Sequence, residues 1–122
     1  MKTCRRRSDI LVNTFHMDAI PSMPYEKRVN ISPERHSIII SDETYDKEEL
    51  VRSEMESLGV DPDTTVYFYN PDLVESVTEH TRLVLQKIIS LGYDLGFHFD
   101  NNEERVSSII EYIQDVRIVS IK

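Results

Sequence analysis

The clearest order in the chain is an alternation of two periods. His36-Ser37-Ile38-Ile39-Ile40-Ser41 is a compact β-branched run suited to a buried strand. Leu50, Val51, Met55 and Leu58 then mark one face of a helix, and Gly59 ends it. Thr65-Val66-Tyr67-Phe68-Tyr69 reads as the next strand, closed by Asn70-Pro71. Val77, Val84, Leu85, Ile88 and Leu91 return at helical spacing and stop at Gly92. Leu95-Gly96-Phe97-His98-Phe99 is a third strand, and Asn101 or Asn102 caps the helix after it. In that helix Val106, Ile109, Ile110 and Ile113 fall at i, i+3, i+4 and i+7, the strongest helical stripe in the chain. Val116 to Ile121 closes with another strand.

The pattern predicts an α/β fold, with β-α-β-α-β-α-β over residues 36–122 and a parallel sheet of four to five strands joined by helical crossovers. The strands at 36–41, 65–69, 95–99 and 116–121 are expected to be neighbours. Such a sheet is either small and open or part of a larger (β/α) barrel. Residues 1–35 read as an irregular N-terminal segment, because Pro21, Pro24 and Pro33 fall there, with one short strand offered by Asp9 to Phe15. Asp46 with Glu49 three residues on resembles a capping box for the first helix.

Composition narrows the class. With 122 residues the chain holds one domain with a modest core. Hydrophobic residues make up 39% and charged residues 30%, ordinary for a globular protein. The net charge of −8 argues against general binding to nucleic acid or to an anionic membrane. The basic cluster Lys2, Arg5, Arg6 and Arg7 is most simply a solvated terminus. One cysteine, Cys4, allows no intrachain disulfide and fits a reducing, cytoplasmic setting. The run Ile10-Leu11-Val12 is too short for a signal peptide and Asn13 interrupts it. No stretch approaches the apolar length that spans a bilayer.

Candidate chemistry gathers at strand ends, where α/β folds bind ligands. Asp42 follows the first strong strand, and His98 and Asp100 end the third. An Asp with histidines and open positions suits zinc or a similar divalent ion, which polarises a carbonyl and activates water. The bland alternative makes His98 a hydrogen-bonded residue and Asp42 a turn residue. Phe15-His16-Met17-Asp18 repeats the form of Phe97-His98-Phe99-Asp100. Coincidence is the simpler reading; convergence requires Asp9–Phe15 to join the same sheet. His36 and His80 read as surface histidines, and Tyr67 and Tyr69 as core packing with sugar stacking as the alternative.

The ordered set Ile38-Ile39-Ile40-Ser41-Asp42, Leu58-Gly59-Val60, Thr65-Val66-Tyr67-Phe68-Tyr69 and Leu91-Gly92-Tyr93-Asp94-Leu95-Gly96-Phe97-His98-Phe99-Asp100 resembles the polysaccharide deacetylase (NodB-like) family over roughly residues 36–122. That resemblance implies a distorted (β/α) barrel, a divalent metal, a carbohydrate substrate and hydrolysis of its N-acetyl group. It makes Asp42 and His98 metal ligands, with position 102 as the third; with Asp100 close by, Asp42, His98 and Asp100 are the candidate catalytic residues. Position 102 is Asn102 where the family often has a second His, no acid stands at the base position near Ile40, and the chain ends at Lys122 before the family's later strands. A truncated, diverged domain with little or no deacetylase activity is therefore expected. Val29-Asn30-Ile31-Ser32, Leu58-Gly59-Val60-Asp61-Pro62 and Leu91-Gly92 also resemble landmarks of EAL-type cyclic-di-GMP phosphodiesterases. There the paired aspartates would fall near His98 and Phe99, implying a degenerate regulatory domain. A third reading is an α/β interaction module. On any of them, open sheet edges imply a homodimer or a protein partner.

Overall fold

The computed structural model describes residues 10–122, so Cys4 and the basic cluster at Lys2 and Arg5–Arg7 lie outside the described residues. Five strands form one all-parallel sheet: β1 (Leu11–His16), β2 (Ser37–Thr44), β3 (Thr65–Tyr69), β4 (Asp94–Asp100) and β5 (Arg117–Ser120). The helices are α1 (Tyr25–Arg28), α2 (Glu48–Ser57), α3 (Val77–Ser90) and α4 (Glu103–Tyr112). Both glycine stops hold: Gly59 and Gly92 each adopt φ of 96°, a conformation that favours glycine.

The strand order is β3-β2-β1-β4-β5. This corrects the expected adjacency, because β1 lies between β2 and β4 and so separates the strands at 65–69 and 95–99. The short strand expected near Asp9–Phe15, of which Asp9 lies outside the described residues, is found at Leu11–His16 in the centre of the sheet, and residues 10–35 share that sheet with residues 36–122. The barrel alternative also gives way. A barrel carries its strands in sequence order around a ring, whereas this order reverses at β1/β4 and ends in two open edges, a doubly wound sheet.

The crossovers explain the layers. The 3-10 turn at Met17–Ser22 and α2 bury Met17, Ile20, Val51 and Met55 on one face, against Phe15 and Ile39. On the other face α3 and α4 bury Val84, Leu85, Ile88 and Ile109 against Val12 and Ile40. Phe15 of β1 stacks on Phe99 of β4 with ring centroids 4.6 Å apart. Asp46 does not form the expected capping box. A 3-10 turn at Tyr45–Lys47 precedes α2, and Asp46 instead accepts a hydrogen bond from the Thr44 hydroxyl.

β4 carries one extra residue relative to β1. Val12 pairs with Leu95, but Thr14 pairs with His98, so the register shifts by one across Gly96. The side chain of Asn13 takes up the slack: its Oδ1 accepts a 2.8 Å hydrogen bond from the Phe97 N–H. Gly96 is needed here because a Cβ would sit 2.4 Å from that same oxygen. A one-residue shift exchanges the faces of all later side chains. It therefore places His98 and Asp100 beside Thr14 and His16 and turns Phe97 and Phe99 to the opposite face.

Candidate metal centre

His16, at the carboxyl end of β1, is fully buried and caps the following 3-10 turn. Its Nδ1 accepts the Asp18 backbone N–H at 3.2 Å, so the proton resides on Nε2, which donates to Asp42 Oδ1 at 3.0 Å. Asp42 comes from β2, one strand over, and Asp18 from the turn after β1. One ligand atom each from His16, Asp18 and Asp42 lie within 4.8 Å of one another. The cluster opens to solvent through its carboxylates, with the Asp18 side chain 53% and that of Asp42 25% exposed.

Behind it lies a second layer. His98 and Asp100 are fully buried at the end of β4. Thr14 Oγ1 and His98 Nδ1 are 2.8 Å apart, as are His98 Nε2 and Asp100 Oδ2. Asp100 also accepts the backbone N–H groups of Asn101 and Asn102 and a forked contact from Arg105, whose Nη2 reaches Oδ1 at 2.9 Å. Arg105 Nη1 extends to Asp42 Oδ2 at 3.4 Å and Asp18 Oδ2 at 3.8 Å. A continuous network therefore runs Thr14, His98, Asp100, Arg105, Asp42, His16, Asp18.

Burial pushes the His98 pKa down and outweighs the raising effect of Asp100, so the ring is held neutral. Its Nε2–H donates to the carboxylate and its Nδ1 accepts from Thr14. Burial alone would raise the Asp100 pKa, but the hydrogen bonds and positive charge of its partners more than offset that and keep it ionised.

These contacts redistribute the expected site. Asp42, His98 and Asp100 do meet at one end of the sheet, joined through Arg105. His98, however, is not among the residues whose ligand atoms converge; its ring nitrogens face Thr14 and Asp100. The Asn102 side chain caps α4, accepting from the Arg105 N–H at 3.0 Å. The two Phe-His-x-Asp strings converge, because β1 and β4 are neighbours, although the simpler reading treated them as coincidence. His16, Asp18 and Arg105 complete the centre and were not singled out for it. The repeated string was the available signal for the first two. Arg105 gave none, sitting in an acid-rich first turn that resembles a solvated face.

His80 is buried rather than a surface residue. It lies on α3, edge-on to Tyr69, with its Nε2 3.4 Å from the Tyr67 carbonyl, and burial lowers its pKa. His36 is exposed and caps a short 3-10 turn with φ of 55°. Among the described residues, no helix is long and apolar enough to cross a membrane.

The centre thus belongs to a doubly wound α/β domain and stands beside the point where strand order reverses, the usual place for a ligand in such sheets. No family model matches the chain, and no curated protein matches its sequence.

Proposed function

We propose that this domain binds a divalent cation through His16, Asp18 and Asp42 and serves a metal-activated hydrolytic reaction. One observation carries the reading: three ligand atoms from two strand ends converge within 4.8 Å at the mouth of the sheet. Charge supports it. Three carboxylates, of Asp18, Asp42 and Asp100, face the one guanidinium of Arg105. A nitrogen and two carboxylates suit zinc, manganese or a similar ion with positions left for water and substrate.

His16, Asp18 and Asp42 would hold the ion, His16 offering one ring nitrogen while its single proton stands on the other, with His98 and Asp100 holding Arg105 behind them. When bound, such an ion lowers the pKa of a water and polarises a carbonyl. Arg105 holds Asp42 and Asp18 in place but also competes for their charge, so metal affinity is moderate and grows when Arg105 is neutralised. The substrate class remains the one implied by the resemblance, an N-acetylated carbohydrate handled in the cytoplasm. Turnover is expected to be low, because His98 is committed to Thr14 and Asp100.

Isothermal titration with zinc and with manganese tests the reading. One equivalent should bind the full chain, and His16→Ala or Asp42→Asn should weaken binding at least tenfold while His98→Gln leaves it unchanged. Binding that survives both substitutions, or depends on His98 instead, overturns it. Acetate release from an N-acetylated glycan, measured with and without metal, tests the reaction separately.

A further inference from the structure

The face of the sheet opposite α3 and α4 is covered unevenly. In front of β1, β4 and β5 runs an open apolar trough of about 440 Å³, floored by Phe15, Met23, Phe99, Val119 and Ile121. Phe97 continues the floor toward the β5 edge and is 42% exposed, with the Arg117 guanidinium 5.7 Å from its ring centre. Parallel sheets are ordinarily covered on both faces. The bulge at Gly96 turns both phenylalanines of β4 this way, so the surface is a direct product of the strand register.

We propose that this trough docks an amphipathic α-helix of a partner protein, its apolar stripe on Phe99, Val119 and Ile121 and its carboxylates against Lys27 and Arg35. Dimensions favour a helix. From β1 across β4 to β5 spans two strand spacings, about 10 Å, which is about the width of one α-helix. Charge selects its chemistry. The chain is net −8, yet no carboxylate lines the trough, and Lys27 and Arg35 stand exposed along it without an ion pair among the described residues. Arg117 adds a third cation at the β5 end. A second copy apposed face to face would bring two such basic rims together. The chain's own first residues carry Lys2, Arg5, Arg6 and Arg7, again the wrong sign. An acid-flanked helix satisfies both the apolar floor and the rim. This inference does not depend on the metal centre, which lies on the other face.

The test is a titration of the isotope-labelled full chain, followed by amide NMR, with two synthetic helical peptides. Both carry leucines at i, i+3, i+4 and i+7; one has a glutamate polar face and the other a lysine one. The acidic peptide should bind saturably, with shifts concentrated at Phe15, Phe97, Phe99, Val119 and Ile121. The lysine peptide should bind at least tenfold more weakly. Lys27→Glu with Arg35→Glu, both exposed and so compatible with folding, should reverse that preference. Equal binding of the two peptides, shifts centred elsewhere, or no saturable binding would overturn the proposal. So would sedimentation showing a dimer of this chain with line broadening on Val119 and Ile121, which would assign the trough to a second copy.

Discussion

Replacing Arg105 with methionine removes a cation that is 5% exposed while keeping much of its apolar stem. Asp100, fully buried and ionised, would then keep only the His98 Nε2–H and the backbone N–H groups of Asn101 and Asn102. Breaking a buried ion pair by removing one partner typically costs about 3–5 kcal/mol. Three surviving donors place this case at the lower end, about 3 kcal/mol. For a chain of this size that corresponds to a fall in the thermal midpoint of roughly 10–15 °C. The assay is urea and thermal unfolding of wild type, Arg105→Met, Asp100→Asn and the double variant. The double variant should be less destabilised than the sum of the two single changes, by about 1 kcal/mol or more, because each single change strands a charge. A loss for Arg105→Met below about 0.5 kcal/mol, or strict additivity, would refute the view of Asp100 and Arg105 as a mutually dependent buried pair.

Other consequences are equally direct. Stability should be full above about pH 6.5 and decline as pH falls below it, because unfolded His80 and His98 take up protons near the ordinary value of 6.5 while the folded rings, held lower by burial, resist. A second loss should begin as pH falls through about 3.8, where unfolded Asp100 protonates and the native carboxylate stays ionised; unfolding midpoints measured across pH check both. Gly96→Ala should cost about 1–3 kcal/mol, since its Cβ would meet Asn13 Oδ1 at 2.4 Å, and chemical denaturation measures it. His98→Gln should lower stability by about 1–3 kcal/mol, with Thr14 and Asp100 left poorly partnered in the interior, as read from the urea midpoint. Zinc binding should weaken as pH falls, because protons compete with the ion for its carboxylate and imidazole ligands; calorimetric titrations at several pH values check it.

Much of the architecture is legible in the chain because it is written locally. Ile38–Ile40 and Thr65–Tyr69 declare strands through β-branched and aromatic runs, and Gly59 and Gly92 close helices through a conformation few other residues tolerate. Strand order is not local. Nothing in Leu11–His16 says that it will sit between β2 and β4, since that depends on which crossover doubles back, here α3. The site divides in the same way. Asp42, His98 and Asp100 are visible as polar residues ending apolar runs. Whether a histidine offers a lone pair depends on what lies across the sheet, and Thr14, 84 residues away in sequence, occupies one nitrogen of His98. Arg105 is hidden for a related reason: its three carboxylate partners come from β4, β2 and the turn after β1.

The bulge at Gly96 gives this centre an unusual relation to sequence change. Strand register takes whole-number values, so no series of point substitutions slides His98 and Asp100 gradually toward or away from His16. Deleting Gly96 would remove the bulge and leave regular alternation, Leu95 beside Val12, Phe97 beside Asn13 and His98 still beside Thr14, so neither His98 and Asp100 nor Phe97 and Phe99 would change face. The bulge is therefore a place where one codon can be gained or lost while the centre and the trough both keep their sides of the sheet. The two surfaces on opposite sides of the sheet are tied instead to the alternation after the bulge, where His98 and Asp100 take one face and Phe97 and Phe99 the other.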